Sequence, residues 1–419
     1  MSQWLEQVIG EAQQVNDYLA PVRQQALTQL KQDGWPGRRN EAWRFTPLTS
    51  VQKRDVSHSD DVPDYQVPAI DNLNAIELVF VDGKLVTDTS ALDVPAGMTL
   101  TTLSDASDAQ QQAIAGIYGQ VKPRRHVFGL VNDAICQHGV FIDVEDDAVI
   151  DTPVRIVNLA ASNADAHTRV VVRLGDRARA CVIEQGTGTV DSFTTAFAEY
   201  DIGAQARLEH YRFAMFTGDA KQVGGCHFRL GESSRLNSTM VGYGSELSRL
   251  DVDIHHAGEH ARAKMNAIYL LSEGELFDLH STIEHAVPNG TTEENARGIV
   301  GDRARAVFNG RIHIHRDAQK TLAELNNRNL LLSRRALVNT KPELEIYADD
   351  VQCAHGATVA EIEEEALYYL LTRGISRSKA LVMLNFGFIQ ELVTAMPNEA
   401  LREWLLPLLS ERFVSMEVK

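Results

Sequence analysis

The sequence predicts a mainly β protein, a parallel β-helix with α-helical regions at both ends. Three observations lead to this prediction. A corner motif recurs at a regular interval through the middle of the chain, apolar residues at helical spacing occupy both terminal regions, and few helical patterns interrupt the repeats. Because one repeat cannot bury its apolar face alone, stacked coils that share one core are the economical solution.

The composition is that of an ordinary globular protein, with 419 residues of which 44% are hydrophobic and 23% charged. The 40 basic and 57 acidic side chains give a net charge of -17, which disfavours nucleic acid and anionic membranes as partners. No apolar run approaches about 18 residues, so we expect no membrane span. The first residues resemble no signal peptide and the four cysteines form no CxxC pair, so we expect a cytoplasmic protein without a disulfide scaffold.

The amino-terminal region is expected to be helical and to end in a linker. Apolar residues follow helical spacing over residues 2–33, where Pro21 suits a first helical turn and Gly34 suits a carboxyl cap. Trp43 is expected to be buried in a surface turn, which could also anchor this unit on the next domain. Residues 55–75 are rich in Asp, Ser and Pro and predict a linker or mobile loop.

A short strand and a mixed region precede the repeats. The strand covers residues 76–81 and ends at Asp82-Gly83, a hairpin signal. Residues 109–139 give no consistent pattern. From about residue 140 the pattern becomes that of β-strands.

A corner of the form Gly-x-x-(Ala/Ser)-Arg-(Ala/Leu) recurs five times, at intervals of 28, 28, 27 and 43 residues. The small residues can turn inward at a tight corner while the arginine meets water. We attribute the excess in the last interval to a polar loop at residues 288–295. The corner glycines, expected to stack along one edge, are Gly175, Gly203, Gly231, Gly258 and Gly301.

Counting onward from Gly301 extends the repeat towards the carboxyl end. One period later lies Asn329, which tolerates a left-handed corner, and a further step reaches Gly356. This count places Cys353 and His355 on the last coil, at the open end of the solenoid. Such an end exposes unpaired backbone, so it must be capped or paired.

The carboxyl-terminal region is expected to contain three helices. They cover residues 363–373, then run from Ser376 to Met396, and then start again after Pro397. Apolar residues crowd residues 381–389, which is compatible with a buried bundle core or with a docking surface for a partner helix. These patterns divide the chain into four regions, namely an amino-terminal helical region and linker (1–75), a mixed connecting region (76–139), the β-helix (140–360) and a carboxyl-terminal helical domain (361–419).

Cys353 and His355 are the strongest candidates for chemistry. The two residues are two positions apart, so on a strand their side chains project from the same face. A thiolate beside an imidazole makes half of a metal site. The neighbouring Asp349 and Asp350 should raise the thiol pKa and could orient the imidazole. We therefore rank His355 above Cys353 as a metal ligand.

Other candidate sites are weaker. His256 and His260 have helical spacing but span a predicted corner, and His313 and His315 share a strand face. Stacked polar residues in a β ladder explain each pair better than a metal site. The chain has no phosphate-binding loop, no Gly-x-Ser-x-Gly elbow and no His-Glu-x-x-His motif. Two alternatives to a scaffold remain, namely a carbohydrate-active β-helix enzyme and a self-contained zinc enzyme that uses the seven histidines between His255 and His315.

One stretch resembles a known family. Residues 341–358, with Cys-Ala-His-Gly-Ala-Thr at their end, are similar to the SufD-type members of the SufB/SufD family, scaffold proteins of SUF iron–sulfur cluster assembly. Three further stretches agree, at residues 41–47, at 307–310 with 318–321, and at 329–333. SufB-type members share the general plan but lack this Cys-x-His-Gly-Ala-Thr arrangement.

The resemblance implies a right-handed parallel β-helix and a non-catalytic scaffold. It implies a SufBCD complex with SufB and two copies of the SufC ATPase, which docks on the carboxyl-terminal helices. The histidine matching His355 is implied to lie at the SufB–SufD interface, where a nascent iron–sulfur cluster forms. A cluster usually needs four thiolate or imidazole ligands, so SufB would supply those that His355 and Cys353 do not. The sequence does not decide whether the isolated chain forms a homodimer.

Overall fold

The computed structural model describes residues 2–59, 61–361 and 364–417, and β-strands dominate it. The strands are β1 (Ile76–Val81), β2 (Lys84–Leu85), β3 (Met98–Thr102), β4 (His138–Val144), β5 (Val154–Ala160), β6 (Asp165–Leu174), β7 (Arg179–Gly188), β8 (Phe193–Ile202), β9 (Arg207–Phe216), β10 (Lys221–Leu230), β11 (Arg235–Tyr243), β12 (Leu247–His256), β13 (Arg262–Leu271), β14 (Leu276–His285), β15 (Thr291–Val300), β16 (Arg305–Ile314), β17 (Leu322–Leu331), β18 (Leu337–Ile346) and β19 (Gln352–Glu361). The helices are α1 (Gln3–Ala12), α2 (Ala20–Asp33), α3 (Thr49–Gln52), α4 (Asp108–Ala115), α5 (Val127–Ile135), α6 (Glu364–Thr372), α7 (Arg377–Leu381), α8 (Gly387–Thr394) and α9 (Glu399–Glu417), with a π-helical turn (Val382–Phe386) between α7 and α8.

The strands form two sheets, and from β4 onward the chain crosses from one sheet to the other at every corner. Sheet A contains β1, β2 and the odd-numbered strands from β5 to β19. Sheet B contains β3, β4 and the even-numbered strands from β6 to β18. Neighbours such as β6 and β8, or β17 and β19, are parallel and in unbroken register over ten residues. The predicted parallel β-helix is confirmed, and its sheets also include strands from before residue 140.

Four of the predicted corner glycines stack on one edge of the solenoid. A Cβ on Gly203 would stand 2.8 Å from the carbonyl carbon of Gly175, and one on Gly258 would stand 2.4 Å from that of Gly231. Glycine is needed at these positions because successive coils approach too closely for a side chain. It is not needed for a left-handed backbone, since the positive φ of the corner lies two residues later, at 62° for Arg177. The small residue of each corner is buried and the arginine after it is exposed, as the motif predicts.

The fifth glycine, Gly301, was wrongly placed on that edge. It follows β15 of sheet A, whereas the other four follow strands of sheet B. The interval of 43 residues contains three strands instead of two, and the predicted polar loop runs into β15. Asn329 and Gly356 consequently lie inside β17 and β19 instead of at corners. The motif misleads because this one corner repeats the letters of the others, with Ala304 buried and Arg305 exposed, although a Cβ on Gly301 would meet no atom closer than 3.5 Å.

The lumen between the two sheets holds the main core, in which alternate residues of each strand are buried. Several polar groups in it are paired with one another. Glu184 accepts a hydrogen bond from Tyr200 at 2.8 Å, forms an ion pair with Arg212 and lies 3.1 Å from Nε2 of His210. Burial would raise the pKa of Glu184, but Arg212 and His210 bring it down to about 2.

The amino-terminal helices pack on the outer face of sheet B. Trp4 of α1 contacts Phe193 of β8, with ring centroids 5.1 Å apart. Trp43 is buried beneath the Arg249 guanidinium, 4.0 Å from its ring centroid, and Arg249 also donates to the backbone oxygen of Ala42 at 2.6 Å. Trp43 is therefore buried as predicted and also anchors this region on the solenoid.

Two further amino-terminal predictions can be compared with the structure. The helical span is broken between α1 and α2, and Pro21 and Gly34 take the predicted positions at the two ends of α2. The expected linker contains no helix or strand among its described residues. It packs on the protein instead of standing free, since Ile70 is buried against the outer face of sheet A.

The carboxyl-terminal helices pack on the outer face of sheet A. Trp404 of α9 contacts Phe213 of β9, with ring centroids 5.2 Å apart. Gly374 ends α6 with a φ of 80°, as expected, and the predicted start at residue 363 lies outside the described residues. Of the apolar residues crowding this region, Ile389 is buried and Met383 is 61% exposed. Within the described ranges, no helix has the length and apolar character needed to cross a membrane.

Candidate functional site

The solenoid ends at β18 and β19, each the last strand of its sheet. One backbone edge of each has no strand partner within the described residues. Nearly all of β19 is exposed, and large apolar side chains here face solvent, including Ile346, Val359 and Tyr347, which is 61% exposed. Unpaired strand edges beside exposed apolar side chains are typical of surfaces that pair with another chain. We call this surface, formed by β18, β19 and the corner between them, the open end.

Cys353 and His355 lie side by side on the lumen face of β19. They are in parallel register with Ala323 and Leu325 of β17, both of which are buried in the lumen. Cys353 is half-buried and packs against the lumen core, whereas His355 is exposed. The prediction that the two residues share one face of the last coil is confirmed. The imidazole of His355 has no hydrogen-bond partner in the described part of the chain.

The thiol of Cys353 is held mainly in its neutral form. Burial raises the pKa of Cys353 above its usual value, and a hydrogen bond with the Ala323 backbone offsets part of that rise. The raised pKa was expected, but from Asp349 and Asp350 instead of burial. Those two residues form the corner before β19, where the Asp350 N–H donates to Oε1 of Gln319 at 2.9 Å.

The expected contact between these carboxylates and His355 is not formed within the described part of the chain. Among the described residues neither Asp349 nor Asp350 hydrogen-bonds the imidazole. A strand directs successive side chains to opposite faces, and these two belong to the preceding corner instead of the lumen face of β19. His355 is therefore free to rotate towards an incoming group.

The open end holds an incomplete donor set. Where the structure describes side chains, three groups bring ligand atoms close enough to share a metal ion, and none includes Cys353 or His355. A site built on these two residues therefore needs donors from outside the described chain. The three groups are His126 with His227 and Asp253, Glu184 with His210 and Cys226, and Glu284 with His313 and His315.

The histidines between residues 255 and 315 do not form one site. His256 and His285 stack inside the lumen with ring centroids 4.0 Å apart, and both hydrogen-bond Thr292. His260 lies at a corner with a φ of 61°, so the helical spacing from His256 has no structural meaning. A single zinc centre built from this whole set is not formed.

His313 and His315 do come together, with ring centroids 4.6 Å apart. Their partner Glu284 was missed in the sequence. It lies one coil earlier, opposite His313 in the parallel register of β14 and β16. The two residues are 29 apart in the chain, whereas the predicted intervals of 28 and 27 residues lead back from His313 to His285 and Ala286.

A second exposed surface belongs to the carboxyl-terminal helices. Tyr368 and Tyr369 of α6, and Met383 and Leu384 of the π-helical turn, are exposed apolar side chains. The residues between and around them, such as Leu381 and Ile389, are fully buried against sheet A. The apolar crowding of this region therefore supplies both a core face and an exposed face.

Two protein-family models match the chain. The SufBD protein N-terminal region covers residues 6–156, and the core domain described as SUF system FeS cluster assembly, SufBD core domain, covers residues 157–388. Their boundary falls inside β5. Together they account for the amino-terminal helices, the solenoid and part of the carboxyl-terminal helices.

Individual relatives agree over nearly the whole length. The iron–sulfur cluster assembly protein SufD of Escherichia coli is 30% identical over 94% of this chain and 93% of its own. An iron–sulfur cluster assembly SufBD family protein of Synechocystis sp. is 28% identical over 92% and 89%, and the chloroplastic protein ABCI7 of Arabidopsis thaliana is 25% identical over 92% and 84%. The chain therefore belongs to the SufBD family of iron–sulfur cluster assembly proteins.

Proposed function

We propose that the protein is a non-catalytic scaffold subunit that pairs with SufB through the open end and binds the SufC ATPase through its carboxyl-terminal helices, in the cytoplasm. In this proposal His355, with Cys353 beside it, contributes to a site where a nascent iron–sulfur cluster is built. The cluster is cargo, passed on after assembly. The observation that carries the proposal is an exposed imidazole on the lumen face of the last coil, with neither a hydrogen-bond partner nor a capping strand among the described residues.

The chemistry of the two side chains supports unequal roles. A neutral imidazole is a ready ligand for iron, and the exposed His355 can reach a cluster that lies above the lumen. The thiol of Cys353 must lose a proton before it can bind metal, and burial opposes that loss. We therefore assign the main contribution to His355 and a lesser one to Cys353.

The incomplete donor set explains why a partner is needed. A second solenoid that pairs with β18 and β19 would continue the backbone hydrogen bonding and cover the exposed apolar side chains. Its own thiolates would then lie opposite His355. The same edges can pair with a second copy of this chain when SufB is absent, which light scattering of the isolated protein tests.

His355→Ala in the co-expressed complex tests the cluster role. We expect the complex of this protein with SufB and SufC to assemble still, because an interface spreads its energy over many contacts. The iron and sulfide content per complex should fall sharply. Cys353→Ala should reduce them less. His260→Asn is the matched control, since it removes another exposed imidazole and keeps a residue that tolerates a left-handed corner. An assembled His355→Ala complex with wild-type iron and sulfide content would end the proposal.

The docking role of the carboxyl-terminal helices rests on their exposed apolar side chains. Deleting these helices would uncover the apolar outer face of sheet A, including Phe213 and Ile268. A loss of SufC binding could then result from misfolding instead of from the loss of a docking surface. Met383→Glu avoids this because the side chain is already exposed. We expect Met383→Glu to reduce SufC co-purification, while Val414→Glu on α9 should not. Equal recovery of SufC with both variants would contradict docking at this surface.

A further inference from the structure

Glu284, His313 and His315 lie on the outer face of sheet B and at the corner after β16. We propose that these three residues bind a divalent first-row transition-metal ion. One ligand atom from each lies within 4.8 Å of the other two, and Nε2 of His315 is 2.6 Å from Oε1 of Glu284. The three ligands lie outside the open end and only the positioning residue Glu345 belongs to β18, so metal binding by the isolated chain is tested separately from the proposed function.

The solenoid fixes the three side chains relative to one another. Glu284 and His313 are opposite residues in the parallel register of β14 and β16. His315 follows the end of β16, and its backbone N–H donates to the oxygen of His285 at 3.0 Å. All three residues therefore sit on a hydrogen-bonded framework, which keeps the entropy cost of gathering them around an ion low.

A carboxylate behind His313 prepares that imidazole for a metal. Nδ1 of His313 is 2.9 Å from Oε2 of Glu345, and Arg311 holds Glu345 in place through Nε at 2.9 Å. Nη2 of Arg311 also lies 3.2 Å from Nδ1, and with the Nδ1 proton directed at Glu345 the nitrogen available to a metal is Nε2. A carboxylate that fixes the tautomer of a ligating histidine is a usual feature of metal sites.

The donor set suits a catalytic-type or exchangeable metal position. Two imidazoles and one carboxylate bind Zn²⁺ with one coordination position left open, or Fe²⁺ with several. Ligand atoms about 2.1 Å from a tetrahedral ion lie roughly 3.4 Å apart, so small side-chain rotations close this site. Without metal, His315 and Glu284 hydrogen-bond each other, and the ion would take the place of that hydrogen bond.

Accessibility separates this group from the other two. Glu284 and His315 are 42% and 43% exposed, so an ion can reach them from solvent. In the lumen group, Glu184 is already neutralised by the buried Arg212. In the third group, Asp253 is already paired with Arg125 and with both histidines.

Titration of the full-length chain with Co²⁺ tests the site, because the visible spectrum of Co²⁺ reports its coordination. We expect stoichiometric binding that Zn²⁺ displaces. His315→Gln and Glu284→Gln should each weaken binding by at least about tenfold, and Glu345→Gln by about tenfold or more through the loss of positioning. Melting curves check that each variant is folded. We expect all three to fold, because the substituted side chains are partly exposed.

Two control variants define the outcome. His260→Asn, which removes an exposed imidazole at another corner, should bind Co²⁺ like the wild type. The Cys353→Ala, His355→Ala double variant should also retain binding, which separates this site from the open end. Absence of stoichiometric Co²⁺ and Zn²⁺ binding by the wild-type chain, or unchanged affinity in His315→Gln and Glu284→Gln, would overturn the proposal.

Discussion

The two ends of the solenoid are built differently. At the first coils, β2 pairs antiparallel with β1 and β3 pairs antiparallel with β4, so both sheets end in reversed strands. The segment after β2 also packs Leu92 against the lumen core. At the other end β18 and β19 pair in parallel with β16 and β17, and within the described residues no further strand follows them.

Burial follows this difference. Phe80 of β1 and Ile142 of β4 are fully buried near the first end, whereas Leu344 of β18 is only partly buried and His355 of β19 is exposed. A β-helix must stop somewhere, and its unpaired edges favour aggregation unless they are blocked. This chain blocks one end with its own residues and leaves the other in a form that a partner solenoid can continue.

Truncating one apolar side chain at each end measures the contrast. Phe80→Ala should lower the free energy of unfolding by about 3 to 5 kcal/mol, because it leaves a cavity under a capped core. Leu344→Ala should cost about 1 kcal/mol in the isolated chain, since that side chain is already partly in water. Chemical denaturation of both variants provides the measurement. Equal losses would show that the open end is as well packed as the first.

A lumen carboxyl nearer the open end gives a second, pH-dependent test. Burial raises the pKa of Glu294 to about 7, and the Ser281 hydroxyl that donates to it at 2.6 Å offsets only part of this. The folded chain thus holds a proton that the unfolded chain loses near pH 4.5. Stability from this group is full below that pH and is lost as the pH rises through about 7.

Glu294→Gln should therefore gain stability over the wild type by up to about 3 kcal/mol between about pH 5 and about pH 8. Glu184→Gln is the matched lumen control and should behave oppositely. It leaves the buried Arg212 without its partner and lowers stability throughout this range. Denaturation at several pH values checks both, and a pH-independent difference for Glu294→Gln would contradict the assignment.

The sequence predicts the repeating parts of the molecule well and the unique parts less well. The corner glycines are readable because four coils repeat one steric demand. Gly301 was misplaced because its corner, on the opposite edge, has the same residue pattern without the same close approach, and only the pairing of strands tells the edges apart. Cys353 and His355 were found through local spacing, whereas Glu284 lies a coil away from His313 and could not be found without the correct register.

Thiol reactivity gives a smaller effect that distinguishes the open end from the interior. Cys136 and Cys226 are buried and should resist alkylation in the folded protein. Cys353 is half-buried with a raised pKa, so its alkylation should be slow at neutral pH and should accelerate as the pH rises towards that pKa. Mass spectrometry after iodoacetamide treatment measures each site. Fast modification of Cys353 at neutral pH would contradict its neutral state.

Hydrogen exchange with and without SufB tests most directly the claim that a partner completes the open end. In the isolated chain, amides at the free edges of β18 and β19 should exchange much faster than those of β9 and β10, which are paired on both sides. Adding SufB should slow exchange in β18 and β19 and leave β1 to β4 unchanged. Protection of β1 to β4, or of the outer sheet faces, with β18 and β19 still exchanging freely, would contradict the account.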